Sequence, residues 1–431
     1  MTWVQLLIFL FVVGLGLIMG GFWIAAALGL TGIFGLYISG NSFVVQVVGN
    51  MVWNTANNFT LTAIPLFLFM GEIILHSGLS ERFYKGIVKF LRKVPGGLLH
   101  SNIIACAIFS AISGSSVATA AGIGSIAIPE MKRLKYKNEY IYGSVASGGT
   151  LGILIPPSIP LIIYGSLTTT STTKLFMAAI VPGLVLMSLY IVFLIVNSII
   201  HRSEFANVDN SNAVNVSWKE ALLGVLPMVV LVLVILGSIY TGIATATEAA
   251  ALGTAFSIAI GFIFGDLKIK RIWESAVTAL KTTSMILFIM IGAQFFAYVL
   301  TSTGTSRELI SWLVGIGLNK WVLFGIVCVI YIILGCFMDG NSMQYLTIPI
   351  LFPVLMEYGF DPIWFGIVLV ILIEMGQITP PMGMNLFVIR GIDKTSDLTE
   401  IIRGVIPYLF IMLLMIVILA FFPDLAQLLV H

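Results

Sequence analysis

Apolar residues follow one another along this chain in long, nearly uncharged blocks, and the length of those blocks sets the architecture. A helix needs about 20 predominantly apolar residues to cross roughly 30 Å of hydrocarbon. Only helices and closed barrels satisfy every backbone group there. The blocks predict ten crossings, near residues 3–20, 22–38, 59–76, 141–165, 175–200, 221–240, 245–264, 282–300, 363–389 and 404–423. A further apolar stretch, from about Leu98 to Ile128, does not fit that count. It is flanked by Arg82, Lys85, Lys89, Arg92 and Lys93 on one side and by Lys132, Arg133, Lys135 and Lys137 on the other. The positive-inside rule puts both clusters, and a third at Lys268, Lys270 and Arg271, in the cytoplasm. The stretch must therefore enter and return. Its halves, about 15 and 12 residues around Ser113, Gly114, Ser115 and Ser116, are too short to cross, so the pattern predicts a re-entrant helical hairpin over about 97–131. A second hairpin of the same design, about 321–356, is interrupted at Asp339, Gly340, Asn341 and Ser342. Counting crossings places it on the outer side, with both termini external.

The two hairpins belong to a repeat. Gly78 and Ser80 recur as Gly304 and Ser306, and Gly114 recurs as Gly340, at an offset of 226 residues. Pro129 maps to Pro353, and Pro156-Pro157 to Pro380-Pro381, at an offset of 224. Five crossings separate the matched starts at 59 and 282, so the copies run in opposite directions through the membrane. Inverted-topology repeats of this kind are a recurring plan of secondary transporters. The expected organisation is a scaffold region over 1–58, a first repeat over 59–200 with a broken helix at 141–165, scaffold helices over 201–281, and the inverted repeat over 282–431 with a broken helix at 363–389.

Each proline pair falls inside an otherwise unbroken apolar run. Proline removes a backbone donor and clashes with the preceding turn, and lipid does not tolerate the carbonyls this frees unless protein or a bound ion satisfies them. Broken helices at membrane depth thus mark a buried site, with carbonyls and helix C-termini suited to Na⁺ or H⁺ and helix N-termini and hydroxyls suited to an anion. Polar residues gather there: Ser110, Ser113, Ser115, Ser116 and Ser158 in one half, and Asp339, Asn341, Ser342, Thr379 and Asn385 in the other. The bland alternative for any one serine is close helix packing by a small residue.

Composition sharpens the class. Of 431 residues, 59% are apolar and 9% charged, against about 25% charged in soluble domains. The 21 basic and 19 acidic residues nearly cancel, which argues against nucleic acid as a partner. Cys106, Cys328 and Cys336 lack paired metal-ligand spacing and read as small core residues. The apolar N-terminus lacks the basic region and cleavage zone of a signal peptide, and is expected to remain in the mature protein.

At the hairpin tips and proline pairs the sequence resembles the large membrane subunit of the tripartite ATP-independent periplasmic (TRAP) transporters. The resemblance runs through Phe109 to Ser116 (FSAISGSS), Gly152 to Ser158 (GILIPPS), Thr247 to Ala251 (TEAAA), Met338 to Ser342 (MDGNS) and Gly376 to Asn385 (GQITPPMGMN). It implies an all-α, multi-pass protein of the bacterial inner membrane that works as an elevator driven by sodium. It also implies two partners, a small four-helix membrane subunit and a soluble periplasmic binding protein that delivers a small organic acid such as a C4-dicarboxylate or sialic acid. Membrane lipid surrounds the whole. Carried over residue by residue, the resemblance puts one Na⁺ on Ser110, Ser113, Gly152, Ile155 and Pro157, and a second on Gly335, Gly376, Thr379 and Met382, so at least two ions are expected per cycle. Resemblance and polarity together point to Ser115, Ser158, Asp339 and Asn341 for substrate. An acidic Asp339 beside an anion is electrostatically awkward, which leaves ordering of the tip, a water-mediated contact or help in holding a cation as its roles.

Ionisable groups within spans are functional candidates. Glu72 lies within a turn of a cytoplasmic end and has snorkelling as its alternative. Glu248 opens a span, where a carboxylate complements the helix dipole. Glu374 is the deepest carboxylate, and either takes part in ion coupling or hairpin locking or makes a buried structural hydrogen bond. Arg390 meets either a substrate carboxylate or the cytoplasmic interface. Two rival functions stand beside the transporter. A self-sufficient sodium-dicarboxylate symporter has related hairpins, usually with Ser-Asn-Thr tips where this chain has Ser-Gly-Ser and Asp-Gly-Asn. An intramembrane hydrolase is opposed by the absence of a His-Glu-x-x-His motif, a histidine-supported serine or a second aspartate in a matching context.

Overall fold

The computed structural model describes residues 2–40, 44–205, 216–381 and 383–430, and among these every regular element is helical. Helices α1 (Trp3–Met19), α2 (Ile24–Ile38) and α3 (Val44–Ala56) precede the first repeat. That repeat comprises α4 (Ala63–His76), α5 (Leu79–Leu91), a hairpin of α6 (Leu98–Ser113) and α7 (Ser116–Arg133), a broken helix of α8 (Asn138–Leu154) and α9 (Ile159–Thr168), and α10 (Thr172–Ile200). The short α11 (Arg202–Phe205), then α12 (Trp218–Tyr240) and α13 (Ala246–Ile263), lead to the second repeat. There α14 (Ile269–Ser302) and α15 (Thr305–Gly315) precede a hairpin of α16 (Lys320–Gly335) and α17 (Gly340–Glu357), a broken helix of α18 (Pro362–Ile378) and α19 (Met384–Ile392), and α20 (Leu398–Phe421).

The repeat seen in the sequence is repeated in backbone geometry. Gly78 and Gly304 open α5 and α15 at φ +74° and +73°, a left-handed conformation that glycine adopts without a Cβ penalty. Both proline pairs contain a cis bond. The copies also interlock, since α7 packs on α19, α17 on α9, and α8 on α18. Every residue of α8 from Ile141 to Leu154, and of α18 from Trp364 to Gly376, is buried. A helix apolar on all sides belongs in such a core. In contrast, α10, α12 and α20 expose Leu184, Val192, Leu233, Phe410 and Val417 on one side, the surface expected against lipid acyl chains.

Several boundaries differ from the sequence expectation. Among the described residues, seven helical segments are long and apolar enough to cross a membrane: Phe59–His76, Asn138–Thr168, Thr172–Ile200, Trp218–Tyr240, Ala246–Ile263, Ile269–Ser302 and Leu398–Phe421. Three others among the ten expected, α1, α2 and α18, are shorter at 17, 15 and 17 residues, because Gly20, the Ser39-Gly40 turn and the second proline pair end them. Helix α14 starts at Ile269 rather than 282, since the charged stretch before Lys281 still consists of good helix formers. Helices α3, α5 and α15 were not foreseen. Helix α5 buries Leu79, Phe83 and Ile87 while keeping Glu81, Lys85 and Lys89 on its other face, and so reads as too charged for a span.

The second tip is also displaced. Helix α16 already ends at Gly335, and Gly340, Asn341 and Ser342 form the first turn of α17. Asp339 accounts for this, because its carboxylate accepts from the backbone N–H groups of Asn341 and Ser342, both at 3.2 Å, and from the Ser342 hydroxyl. Aspartate in this position is a strong N-cap.

The first and third basic clusters meet in the structure. Arg82 pairs with Asp266 at 2.9 Å and donates to the Phe264 carbonyl, while Arg271 donates to the His76 carbonyl. The second cluster is joined to the second repeat, where Lys132 pairs with Asp393, and Tyr142 donates to the same carboxylate at 2.7 Å. Partial burial pushes the Asp393 carboxyl up, but donation from Lys132, Thr395 and Tyr142 outweighs this and holds it below the usual carboxylate range. A carboxyl depressed by folding contributes stability above its unfolded pKa, near 4, and loses that contribution as pH falls through the folded value. Asp393→Asn is therefore expected to cost on the order of 1–2 kcal/mol in a detergent melt at pH 7. The gap from wild type should narrow as the pH is lowered below about 4. An unchanged melt at pH 7 would remove this clasp from the account.

Candidate functional site

The first junction forms where the inner hairpin meets the break between α8 and α9. Helix α6 closes at Gly114 with φ +60°, and Ser115 caps α7 by accepting from the Ala118 N–H at 3.4 Å. The Ser113 hydroxyl bonds to Thr119 Oγ1 at 2.8 Å and donates to the Ser115 carbonyl at 3.3 Å. Gly152 comes so close that an added Cβ would lie 2.9 Å from Thr119 Oγ1 and 3.0 Å from the Ser115 carbonyl oxygen. A Cβ on Gly114 would meet the Pro157 carbonyl oxygen at 3.1 Å. Ser113, Ser115, Gly152 and Pro157 are thus brought together, and they offer backbone and hydroxyl oxygens. Ser110 lies one turn back, with its hydroxyl donating to the Ala107 carbonyl at 2.6 Å. The Ile155 side chain packs toward Gly183 of α10, so only its backbone is available here. Ser158 is fully buried, caps α9 through the Leu161 N–H, and donates to the Ile153 carbonyl. Its hydroxyl is committed to spanning the break.

The second junction is built differently. A Cβ on Gly335 would lie 2.6 Å from the Gly376 Cα, so α16 and α18 touch backbone to backbone at the end of the outer hairpin's first arm. Thr379 ends α18, its hydroxyl donating to the Met375 carbonyl at 2.6 Å and its own carbonyl accepting from Gly383 at 3.1 Å. Met382 lies outside the described residues. Gly340 is pressed against Ile373, with Gln377 Nε2 beside it. Asp339 and Asn341 therefore sit at this junction, whereas Ser115 and Ser158 sit at the first. The role of Asp339 in ordering the tip is visible directly in its capping bonds.

A polar bridge joins the copies. Asn385, at the start of α19, exchanges hydrogen bonds with the Ser116 hydroxyl at 2.7 and 3.0 Å and donates to the Ala146 carbonyl at 3.1 Å. Sequence reasoning placed both residues in the polar clusters but gave them no partner. It missed Thr119, the hydroxyl facing Ser113, and Gly71 of α4, where a Cβ would lie 3.0 Å from the Ser113 Cα. No local pattern distinguishes either residue, since each is defined by what packs against it.

Two hairpin tips, each seated against a break or a helix end in an inverted repeat and surrounded by lipid-facing helices, define a polytopic transport permease rather than an enzyme. Residues 10–425 match the family described as "Tripartite ATP-independent periplasmic transporter, DctM component". The chain belongs to this family and is a multi-pass protein of the inner membrane. It is 37% identical to the C4-dicarboxylate TRAP transporter large permease protein of Pseudomonas aeruginosa over 88% of each chain. It is 32% identical to the protein of the same description from Rhodobacter capsulatus over 95% of each. Identity to the sialic acid TRAP transporter large permease protein of Vibrio cholerae is 30% over 90% of each. In fold it is similar to the Alcanivorax borkumensis YdaH transporter, whose crystal structure was described as having an unusual topology. The TM-score is 0.61 at 14% identity, covering 89% of this chain and 90% of that one.

Proposed function

We propose that this permease imports a small organic acid, handed over by a periplasmic binding protein and driven by an inward sodium gradient, in complex with a small four-helix membrane subunit. The observation that carries the reading is the pair of junctions, where helix ends and carbonyl oxygens converge at membrane depth. Such oxygens suit a hard monovalent cation, while the N-termini of α7 and α9, capped by the neutral Ser115 and Ser158, suit a carboxylate. Relatives named for C4-dicarboxylates and for sialic acid support a small carboxylate as the substrate. Ser113 and Gly152 with the Pro157 carbonyl hold the first Na⁺ in this proposal, and Gly335, Gly376 and Thr379 hold the second.

The proposed motion is an elevator. The hairpins and broken helices interlock and move as one carrier against α2, α4, α12, α13 and α14. Small residues on the seam favour sliding, as where Gly71 of α4 meets Ser113. At the outer end Asn58, which leads into α4, donates to Ser166 of α9 at 3.3 Å across that seam. In a background lacking Cys328 and Cys336, a cysteine pair at Asn58 and Ser166 bridged by mercury is expected to stop uptake in proteoliposomes, with a thiol reagent restoring it. Uptake that continues at full rate in the bridged protein would contradict the elevator.

A further inference from the structure

The outer end of the seam between scaffold and carrier holds a cavity of about 450 Å³, a volume within the range of roughly 300–1,000 Å³ that suits a small molecule. It shares no lining residue with either hairpin junction. One wall comes from the turn at Phe59–Thr62, which leads into α4, and from the start of α13. The other comes from the end of α9 and the start of α10, where every residue from Ser166 to Thr173 except Leu167 carries a hydroxyl. The two walls touch where Asn58 donates to Ser166 at 3.3 Å.

The lining is polar but uncharged. Among the described residues no lysine, arginine, aspartate or glutamate lines the cavity. The two helix N-termini that open on it are already capped, α10 by the Ser171 hydroxyl and α13 by Thr245 together with the Glu248 carboxylate folded back on it at 2.8 Å. An anion would find no lining cation to pair with. What the walls offer instead is hydroxyls. Thr172 is only 8% exposed, and its Oγ1 lies 2.9 Å from where a Cβ on Gly165 would stand, on the cavity wall. Among the described residues that hydroxyl has no hydrogen-bond partner, a state that costs free energy until something bonds to it. Ser166 accepts from Asn58 and keeps its own proton to donate. Phe59, 66% exposed, adds an aromatic ring to the lining. Hydroxyl and amide groups beside an apolar ring are the chemistry that recognises a compound with many hydroxyls and C–H faces.

We infer that this cavity binds a neutral polyhydroxy compound of monosaccharide size, held between Asn58, Phe59 and Thr60 on the scaffold wall and Ser166, Thr172 and Thr173 on the other. An occupant bonded to both walls ties scaffold to carrier and slows the transport cycle from outside. That consequence rests on the elevator proposed above, whereas binding itself does not.

Saturation-transfer NMR on the permease with its small subunit in lipid nanodiscs tests binding, with glucose and mannitol as probes and gluconate as the anionic comparison. Transfer to glucose and mannitol is expected, and titrations should show their affinity falling about fivefold to tenfold in Phe59→Leu and in Thr172→Val. Thr172→Val, which keeps the shape of the side chain, decides the matter if Phe59→Leu fails to fold. No transfer to either probe, or unchanged affinity in both folded variants, would overturn the site. Transfer to gluconate that Thr172→Val weakens, with none to glucose, would overturn its neutral class. In proteoliposomes the same two probes should lower the maximal rate of sodium-driven uptake without changing the half-saturating concentration of the transported acid. Binding that leaves uptake at full rate would overturn the slowing of the carrier alone. Wild-type permease without any sodium-driven uptake would overturn the coupling, and the NMR result would still decide the site.

Discussion

Replacing Ser113 by leucine is expected to lower sodium-driven uptake at least about a hundredfold, while Ser113→Ala keeps most of it. The difference follows from what surrounds the residue. Its hydroxyl makes one bond of 2.8 Å to Thr119 and a weaker one to the Ser115 carbonyl, and losing such bonds costs about 1 kcal/mol apiece. The carbonyl geometry proposed to hold the ion survives that loss. Leucine cannot be accommodated, because the space beside Ser113 is closed by Thr119, by Gly71 of α4 and by the Gly152 turn of α8. Overpacking a site of this density costs about 1–3 kcal/mol or more through displaced backbone, and the displaced backbone is the proposed ion ligand. Sodium titrations of uptake separate the cases. The alanine variant should need at most a few times more sodium, and the leucine variant should not saturate. Equal and negligible effects of both changes would remove the first junction as an ion site.

Gly376→Val should be the more damaging change in the second repeat. The Gly335 and Gly376 backbones are in contact, and a Cβ at position 376 would lie 2.9 Å from the Gly335 Cα and 3.1 Å from the Met343 side chain. Met343 can move, but two helix backbones cannot separate without dragging the outer hairpin away from α18. A loss of roughly 3 kcal/mol or more is expected, together with complete loss of uptake. Gly376→Ala should fall between the two. The check is a detergent melt alongside uptake, and a valine variant with wild-type stability and transport would show that the close approach has no consequence.

The features legible in the sequence were those with local causes. Proline pairs break helices wherever they occur, short polar interruptions in apolar runs stop a helix before it crosses, and basic clusters report their side of the membrane. These set the two hairpins, the two breaks and the inverted repeat. The second tip was misplaced by about one turn because the interruption was read from small polar residues. Asp339 instead captures the N–H groups of Asn341 and Ser342 and draws them into α17. The amphipathic α5 and the cytoplasmic extension of α14 were lost for the opposite reason, since a search for apolar length passes over helices that carry charge.

What remained hidden depends on which helices meet. Neither the exchange of α7 with α19 and of α17 with α9, nor the bridge from Asn385 to Ser116, is encoded in any local pattern. The same holds for Glu374. Its position was plain in the sequence, but the absence of any partner among the described residues could be known only from the packing around it.

The central claim is that uptake through this permease requires both a sodium gradient and a binding protein. The most direct measurement is uptake of labelled C4-dicarboxylates, sialic acid and sugar acids into proteoliposomes that contain the permease with its small subunit. An inward sodium gradient would be imposed or withheld, and the cognate binding protein added or left out. The account predicts accumulation only when gradient and binding protein are both present. Sodium-driven accumulation by the membrane subunits alone would contradict it, and would place the chain functionally with the self-sufficient symporters.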